Sequence, residues 1–310
     1  MDLILLAIDY TKAFDSVDFA FIHKTFEIFN FGENFKKWIK IVYTLGKSCI
    51  SNNGHHSDFF DIERSTRQGD PISPLTFILC LEILLINIRS DPNIKGIKIL
   101  NNEVKITAYA DDCTYFLKDK QSTELLLSHI YKFSKISGLE INRTKSECLL
   151  LEFEGDLQQG GDKFVGIPIV ENVKILGHFF GKNKLVCNYQ NFYSKITKIE
   201  KILNMWKQRH LTIFGKNLVI NALVNSTFLF NSQIEFPPLD FIPQINKIAK
   251  AFLWNGSTAK IAHHAIIGDF AEGGFKFKDL NNFINAINLK FIQKLSFSQR
   301  QHGCNYQLIG

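Results

Sequence analysis

The sequence TAYADDCTYFL, residues 107–117, restricts the fold more than any other stretch of the chain. Short runs of strand-forming residues flank Asp111 and Asp112, which predicts a strand, a tight turn and a second strand. Adjacent carboxylates repel each other, and burying one without compensation is costly. The pair therefore lies either in a solvated hairpin turn, where Asp is common, or in a site that supplies positive charge.

A third carboxylate follows a similar apolar run. LILLAIDYT, residues 3–11, predicts a buried central strand that delivers Asp9 to a sheet edge or cleft. Three carboxylates on central strands can hold two divalent cations about 3.5–4 Å apart. Hard oxygen ligands of this kind suit Mg²⁺. Spacing alone does not bring Asp9 to Asp111, so the solvated turn and the metal site both remain open.

Hydrophobic periodicity and turn residues predict the surrounding elements. In chain order they are a helix over about 16–29, a helix carrying Phe35, Trp38, Ile39, Val42 and Tyr43, a hairpin at Asn53-Gly54, a helix from Ser73-Pro74 to about Ile88, a hairpin at Asn101-Asn102, a helix over about 122–136 and short strands through 173–180.

Charge changes along the chain. The 310 residues carry a net charge of +6, and 45% are hydrophobic, enough for one large or two modest cores. Residues 182–216 include eight lysines and arginines and one acidic residue, Glu200. This excess is either a solvated helix face or a surface that follows phosphates. Pro237-Pro238 then marks a break before a last region, so we predict domains at 1–180, 181–236 and 237–310, the last of unknown role.

The six cysteines lie far apart, with no C-x-x-C pair and no secretory leader before them. This pattern favours a reducing location inside the cell, in cytoplasm and nucleus. The apolar stretches, including 75–88 with its polar interruptions, are expected to be too short or too broken to cross a membrane.

Five motifs together resemble the successive palm motifs of reverse transcriptases. Their amino-acid sequences are similar to those of the LINE-type, non-LTR retrotransposon class. They are AIDYTKAFDSVD (7–18), RQGDPISPLTF (67–77), YADD (109–112), GLEINRTKSE (138–147) and KILGHFF (174–180). The resemblance is strong over about 3–180 and weaker through the basic helices. It implies an α+β fold, with a ferredoxin-like antiparallel palm sheet and flanking helices, followed by a mostly helical thumb-like domain.

The resemblance also implies a chemistry. Asp9, Asp111 and Asp112 match the metal-binding triad, and the backbone carbonyl of Tyr10 matches a further ligand. Two Mg²⁺ ions, with Mn²⁺ as a possible substitute, would then support addition of deoxynucleotides to a primer 3′-hydroxyl. The implied partners are an RNA template, a DNA primer and dNTP, with no membrane.

Other motif positions match residues that handle nucleotide and primer. Phe14 matches the aromatic residue under the sugar, where a 2′-hydroxyl would collide with it. Lys145 matches the lysine proposed to protonate the leaving pyrophosphate. The remaining matches are Arg67, Gln68 and Gly69 at the incoming nucleotide and Leu176 and Gly177 at the primer grip. Apart from these motifs, the basic stretch supplies the candidate nucleic-acid contacts Lys195, Lys198, Lys201, Lys207, Arg209 and Lys216.

Relatives place a fingers region before the first metal aspartate, whereas only eight residues precede Asp9. We therefore expect an N-terminally truncated fragment that is weak or inactive alone. A catalytically silent nucleic-acid-binding remnant is one alternative. An RNA-dependent RNA polymerase is another, although Phe14 and Ala110 depart from the pattern of that class.

Overall fold

The computed structural model describes residues 3–44, 46–62, 64–67, 69–99, 102–152, 162–258 and 261–301. The chain divides into two compact units, Met1–Ile175 and Leu176–Ile309. Each unit has its own hydrophobic core.

The first unit combines a central sheet, short hairpins and five helices. Its strands are β1 (Leu3–Ile8), β2 (Lys47–Ser48), β3 (Ser51–Asn52), β4 (His55–His56), β5 (Phe60–Asp61), β6 (Ile97–Ile99), β7 (Asn102–Val104), β8 (Ile106–Tyr109), β9 (Asp112–Leu117), β10 (Glu147–Leu151), β11 (Lys163–Phe164), β12 (Ile167–Pro168) and β13 (Asn172–Ile175). Its helices are α1 (Ala13–Ser16), α2 (Phe19–Ile28), α3 (Glu33–Thr44), α4 (Ser73–Ser90) and α5 (Lys120–Ser137).

The central sheet has four strands in the order β10-β1-β9-β8, and every neighbouring pair is antiparallel. Helices lie between β1 and β8 and between β9 and β10. This is the β-α-β-β-α-β arrangement of a ferredoxin-like fold. The predicted α+β class with an antiparallel palm sheet is confirmed.

Strand β1 is apolar throughout because both faces of the sheet are covered. Ile4, Leu6 and Ile8 point into the core formed with the helices. Leu5 lies on the other face, against Leu149 and Val173. Alternating side chains of one strand thus enter two cores, which explains a continuous apolar run where a one-sided sheet would show alternation.

The helix predicted over about 16–29 is α2, which begins only at Phe19 because Val17 has extended backbone; the short helix α1 precedes it. Asp18 then caps α2: its carboxylate accepts hydrogen bonds from Ala20 N–H at 2.8 Å and Phe21 N–H at 3.3 Å. An Asp at this position satisfies helix donors that otherwise lack partners.

The hairpin predicted at Asn53-Gly54 joins β3 to β4, and both turn residues have positive φ, at 49° and 82°. Asn-Gly is the preferred pair for such a turn. Strands β6 and β7 form the second predicted hairpin, of which Asn101 lies outside the described residues.

By length and composition, α4 is one helix in the described part of the chain that could cross a membrane. A bent pair, Ile213–Val224 with Ser226–Ile234, passes the same test together. The expectation that 75–88 is too interrupted for this was therefore wrong on length and hydropathy. Core packing accounts for the apolar character of α4, since Phe77, Cys80 and Leu84 are each at most 1% exposed.

The second unit is mostly helical. Its elements are β14 (His178–Gly181), α6 (Lys184–Asn188), a π-helical segment (Tyr189–Tyr193), α7 (Ser194–Lys207), α8 (Ile213–Val219), a second π-helical segment (Ile220–Val224), α9 (Ser226–Ile234), α10 (Phe241–Leu253), α11 (His263–Ile267), a 3₁₀ turn (Phe270–Glu272) and α12 (Leu280–Gln301). Phe192 and Phe228 each pack against Phe241 with ring centroids 5.4 Å apart.

The core of the second unit runs from Phe192 to Ile284 and so includes residues on both sides of Pro237-Pro238. The division of this region into 181–236 and 237–310 stays a prediction.

Candidate active site

Strand register brings the three predicted carboxylates to one end of the sheet. Ile8 pairs with Cys113 across β1 and β9, and Tyr109 pairs with Asp112 across β8 and β9. Asp9 follows Ile8, and Asp112 precedes Cys113, so one further step of the antiparallel register sets Asp9 opposite Asp112. Asp111 occupies the turn beside them.

Electrostatics confirm that these groups influence each other. The pKa of Asp112 is raised, first by partial burial and then by the negative charges of Asp111 and Asp9. A cation among the carboxylates would relieve this repulsion, and carboxylate oxygens suit a hard divalent ion. Within the ranges described above, no group of three His, Cys, Asp or Glu is arranged to hold a metal ion. The charge of the site fits such an ion, and its full set of ligands stays a prediction.

The backbone of Asp9 is fixed by the loop that carries Lys145. Asp9 N–H donates to the hydroxyl of Ser146 at 3.1 Å, and the Asp9 carbonyl accepts from Asn142 N–H at 2.8 Å. The Ser146 hydroxyl in turn donates to the Asn142 carbonyl at 2.8 Å. Ser146 is fully buried. The loop therefore restricts the direction in which the Asp9 carboxylate leaves the strand.

Tyr10 has a buried side chain and a backbone carbonyl that the neighbouring bridge does not use. Its hydroxyl lies 3.2 Å from that of Tyr115, and burial raises the pKa of Tyr10 far above its usual range. Two hydrogen bonds form the bridge between Tyr10 and Ile141: the Thr11 N–H donates to the Glu140 carbonyl, and the Asp9 carbonyl accepts from the Asn142 N–H. Neither bond uses the Tyr10 carbonyl. The Tyr10 carbonyl is compatible with its predicted role as a ligand.

Phe14 is held on both its ring and its backbone. The ring stacks on that of Phe77, with centroids 4.4 Å apart and planes at 22°. The Phe14 carbonyl accepts from the N–H and the hydroxyl of Thr66, at 2.6 Å and 2.9 Å. Thr66 directly precedes the RQGD motif, so the structure joins two motifs that are 52 residues apart.

Arg67 has a structural contact that its predicted nucleotide role did not include. Its Nη2 donates to the Val42 carbonyl at 2.9 Å, near the end of α3. This contact holds one edge of the guanidinium against α3, and the role of Arg67 at the incoming nucleotide stays a prediction. Gly69 has φ 90° in an exposed turn, which favours glycine. Gln68 lies outside the described residues.

Three further predicted site residues are exposed. Lys145 is an exposed residue whose N–H donates to the Asn142 carbonyl at 3.2 Å. Leu176 and Gly177, the predicted primer grip, form a turn in which both residues have positive φ, at 47° and 87°. Nothing within 4 Å would meet a Cβ placed on Gly177, so the backbone of this turn is open to a ligand.

Two of the six basic side chains predicted to contact nucleic acid form hydrogen bonds inside the protein. Lys216 is 8% exposed, and its ammonium donates to the Leu253 carbonyl at 3.3 Å and to Asn255. This prediction is corrected, because Lys216 binds the end of α10 and does not face solvent. Lys195 is half-buried and donates to the Thr227 carbonyl at 3.0 Å and to Asn231 Oδ1 at 3.1 Å.

The other four basic residues of this set are exposed on α7 or just after it. Arg209 also stacks over the ring of Trp206, 4.6 Å from its centroid. They are Lys198, Lys201, Lys207 and Arg209.

Sequence reasoning missed the polar residues that hold the site in place. Ser146 and Asn142 fix Asp9, and Thr66 fixes Phe14. Each lies within or beside a motif that the sequence singles out, and that adjacency was the available signal. Their partners are too distant along the chain for local patterns to reveal.

Comparison with known proteins agrees with this geometry. A family model described as reverse transcriptase (RNA-dependent DNA polymerase) matches residues 2–180. The Pol polyprotein of the type-2 retrotransposable element R2DM of Drosophila melanogaster is 28% identical over 58% of the chain and 18% of its own length. The transposon TX1 149 kDa protein of Xenopus laevis is 26% identical over 96% of the chain and 23% of its own length.

A solved structure of apo telomerase from Candida tropicalis covers 82% of the chain and 42% of its own length, with 11% identity and a TM-score of 0.45. That likeness is too low to add to the family assignment. The chain spans about a quarter or less of the length of the curated relatives it matches. Its family match covers more than half of the chain and includes every residue of the carboxylate site. The chain belongs to the reverse transcriptase (RNA-dependent DNA polymerase) family.

Proposed function

We propose that this chain supplies the palm of an RNA-directed DNA polymerase, which adds deoxynucleotides to a primer 3′-hydroxyl on an RNA template. The observation that carries the proposal is the convergence of Asp9, Asp111 and Asp112 at one end of the sheet, where the pKa of Asp112 is raised. Unneutralised like charges at a sheet end have a structural cost, and a site for cations gives them a role.

In this proposal Asp9 and Asp111 hold divalent cations, with Asp112 at their side and the Tyr10 carbonyl as a further ligand. Mg²⁺ held by these residues would supply activation of the attacking hydroxyl and neutralisation of the departing pyrophosphate. Mn²⁺ is a candidate substitute. The contribution of the chain itself is to hold the carboxylates in register through β1, β9 and the Ser146 contact.

Phe14 selects the sugar in this proposal. Stacking on Phe77 and the two hydrogen bonds from Thr66 leave the Phe14 ring little freedom to move aside. A rigid ring beneath the nucleotide excludes a 2′-hydroxyl, so deoxynucleotides are preferred. Lys145, exposed on the loop that fixes Asp9, is the proposed proton donor to pyrophosphate.

Primer extension tests the proposal. An RNA template with an annealed DNA primer is incubated with dNTP and Mg²⁺, and incorporation by the chain is compared with incorporation by Asp111→Asn. Asp58→Asn, which changes an exposed carboxylate away from the sheet end, serves as the matched control. We expect incorporation to be lost only in the Asp111 variant. Equal incorporation by all three proteins would overturn the catalytic assignment.

A second candidate is a catalytically silent nucleic-acid-binding remnant. It is supported by the exposed lysine and arginine side chains on α7 and just after it. It predicts that the chain binds an RNA–DNA duplex with an affinity that falls as salt rises, and that no variant incorporates nucleotide. Duplex binding that ignores salt would count against it.

A further inference from the structure

The strand that follows the predicted primer grip is bound by the side chain of one residue, Asn191. Phe179 lies in β14, two residues after Gly177. Its N–H donates to Asn191 Oδ1 at 2.8 Å, and its carbonyl accepts from Asn191 Nδ2 at 2.9 Å. The side-chain amide of Asn191 thus pairs with both the N–H and the carbonyl of Phe179. A neighbouring strand would pair these two backbone groups in the same way.

The remaining hydrogen-bonding capacity of Asn191 is also used. Its second amide hydrogen points to Nε2 of His178 at 3.1 Å, and its oxygen also accepts from Asn231 Nδ2 at 3.3 Å. An asparagine amide has two donor hydrogens and two acceptor lone pairs, so all four are satisfied. Asn191 is fully buried, and His178 and Asn231 are 1% and 2% exposed. Losing such a side chain leaves several buried polar groups without partners.

Helices of the second unit fix Asn191 in turn. Asn231, in α9, also donates to the Asn191 carbonyl at 3.2 Å and accepts from Lys195 Nζ at 3.1 Å. Asn191 lies in the middle of the π-helical segment Tyr189–Tyr193. Such single-turn departures from the α-helix often occur where function has fixed a side chain.

We infer that Asn191 is a positioning residue for the primer grip: it holds β14 to α9, so that the exposed turn at Leu176 and Gly177 keeps one orientation toward a primer 3′ end. The inference rests on the proposed function, because it needs a primer to position. Asn191 acts through β14 and does not contact the primer.

The test uses the full chain and a DNA primer annealed to an RNA template, with 2-aminopurine at the primer 3′ end. Anisotropy gives duplex affinity, 2-aminopurine fluorescence reports the placement of the primer end, and hydrogen exchange reports the amides of 176–181. In Asn191→Leu we expect these amides to exchange about tenfold faster, which is the scale of one lost buried hydrogen bond. The primer-end signal per bound duplex should be lost, while affinity falls less than about threefold.

Asn217→Leu is the matched control, because Asn217 is 6% exposed and donates to the Phe275 carbonyl at 2.6 Å, away from β14. It should leave exchange at 176–181 and the primer-end signal unchanged. If Asn191→Leu fails to fold, Asn191→Asp decides, since it keeps the acceptor for Phe179 N–H and loses both amide donors. It should show a partial loss of signal.

The outcomes separate the two claims. If the unsubstituted chain binds no duplex, the proposed function fails and the inference fails with it. If the unsubstituted chain binds and gives the primer-end signal, and the Asn191 variants give the same signal and exchange, the inference alone is overturned. A loss of signal shared equally by Asn217→Leu would also overturn it, because the effect would then follow from general destabilisation.

Discussion

The hydroxyl of Ser146 accepts a hydrogen bond of 3.1 Å from the backbone N–H of Asp9, across 137 residues of sequence. The same hydroxyl donates to the Asn142 carbonyl. The N–H of Asn142 in turn donates to the Asp9 carbonyl. The carboxylate that we propose as a cation ligand is therefore oriented by a loop in a different part of the chain, through a buried serine with no proposed chemistry of its own.

Removing that hydroxyl should impair catalysis more than binding. We expect Ser146→Ala to lower kcat for primer extension about tenfold, as for loss of one positioning hydrogen bond, with duplex affinity unchanged. Ser146→Thr should restore the rate. Ser137→Ala is the control, because Ser137 is equally buried and its hydroxyl bonds to the Phe133 carbonyl and the Leu139 N–H, both close to it in the chain. A normal rate in Ser146→Ala would refute this role.

Neutralising Asp112 should stabilise the first unit in the absence of metal. The folded-state pKa of Asp112 is raised, so the folded state disfavours its charge and loses stability as pH rises through that pKa. Asp112→Asn should raise Tm at pH 7 by roughly 2 °C, a small effect because the group is largely solvated. The difference should vanish below about pH 3.9, where the carboxyl is protonated in both states. Thermal melts from pH 3 to 8 measure this, and a gain that persists in acid would contradict it.

Shortening Phe14 should relax sugar discrimination. Phe14→Ala opens the space that the stacked ring fills, and we expect the ratio of ribonucleotide to deoxynucleotide incorporation to rise about 10- to 100-fold. Phe19→Ala is the control, since Phe19 is also partly buried in the same core and packs on Tyr43. Single-nucleotide incorporation gives the ratio. Equal ratios in the two variants would remove Phe14 from the proposed specificity.

Gly46 makes room for the guanidinium of Arg67. A Cβ on Gly46 would lie 1.9 Å from Arg67 Nη2, so Gly46→Ala must displace the side chain from the Val42 carbonyl. We expect a loss of about 1–3 kcal/mol in the free energy of unfolding, measured with urea. In the background of Arg67→Ala the same change should cost little, because the clash is gone. Equal costs in both backgrounds would show that Arg67 is not the cause.

Acid should destabilise the second unit through His178. Burial lowers the pKa of His178, whereas Glu235, 3.8 Å away, raises it and Lys195 lowers it. Lys184, 3.5 Å from Glu235, partly neutralises that carboxylate. The neutral ring accepts from Asn191, so its stabilising contribution is complete above about pH 6.5 and is lost as pH falls through the lowered pKa.

The comparison is between the chain and His178→Gln, in thermal melts from pH 5 to 8. The unsubstituted protein should lose Tm over the acid half of this range, and the variant should lose much less. Parallel curves would show that other groups govern the acid sensitivity.

Local pattern sufficed for the elements that position the carboxylates. The apolar run before Asp9 predicted an inner strand because both sheet faces are covered, and the flanks of Asp111-Asp112 predicted the β8–β9 turn. The start of α2 was predicted about three residues early, because only the capping carboxylate of Asp18 reveals where the helix begins.

The roles of single polar and basic residues could not be predicted in the same way. In the sequence Lys216 cannot be distinguished from the other basic residues of 182–216. Its hydrogen-bond partner, the Leu253 carbonyl, lies 37 residues further along the chain. Arg67 lies in a motif predicted to bind nucleotide, yet its partner Val42 lies 25 residues earlier. Burial and long-range contacts decide what such side chains do, and neither is encoded in their immediate neighbours.

The inward-facing lysines change what the basic stretch can do electrostatically. If all six basic residues predicted to contact nucleic acid each met a phosphate, they would give a slope of about −5.4 in log affinity against log salt, whereas the four exposed members of that set give about −3.6. Lys195 and Lys216 are bound to carbonyl and amide oxygens of their own unit. They therefore displace no cations from a bound duplex, and a duplex on this surface should be held less tightly and with a weaker salt dependence than six phosphate contacts would give.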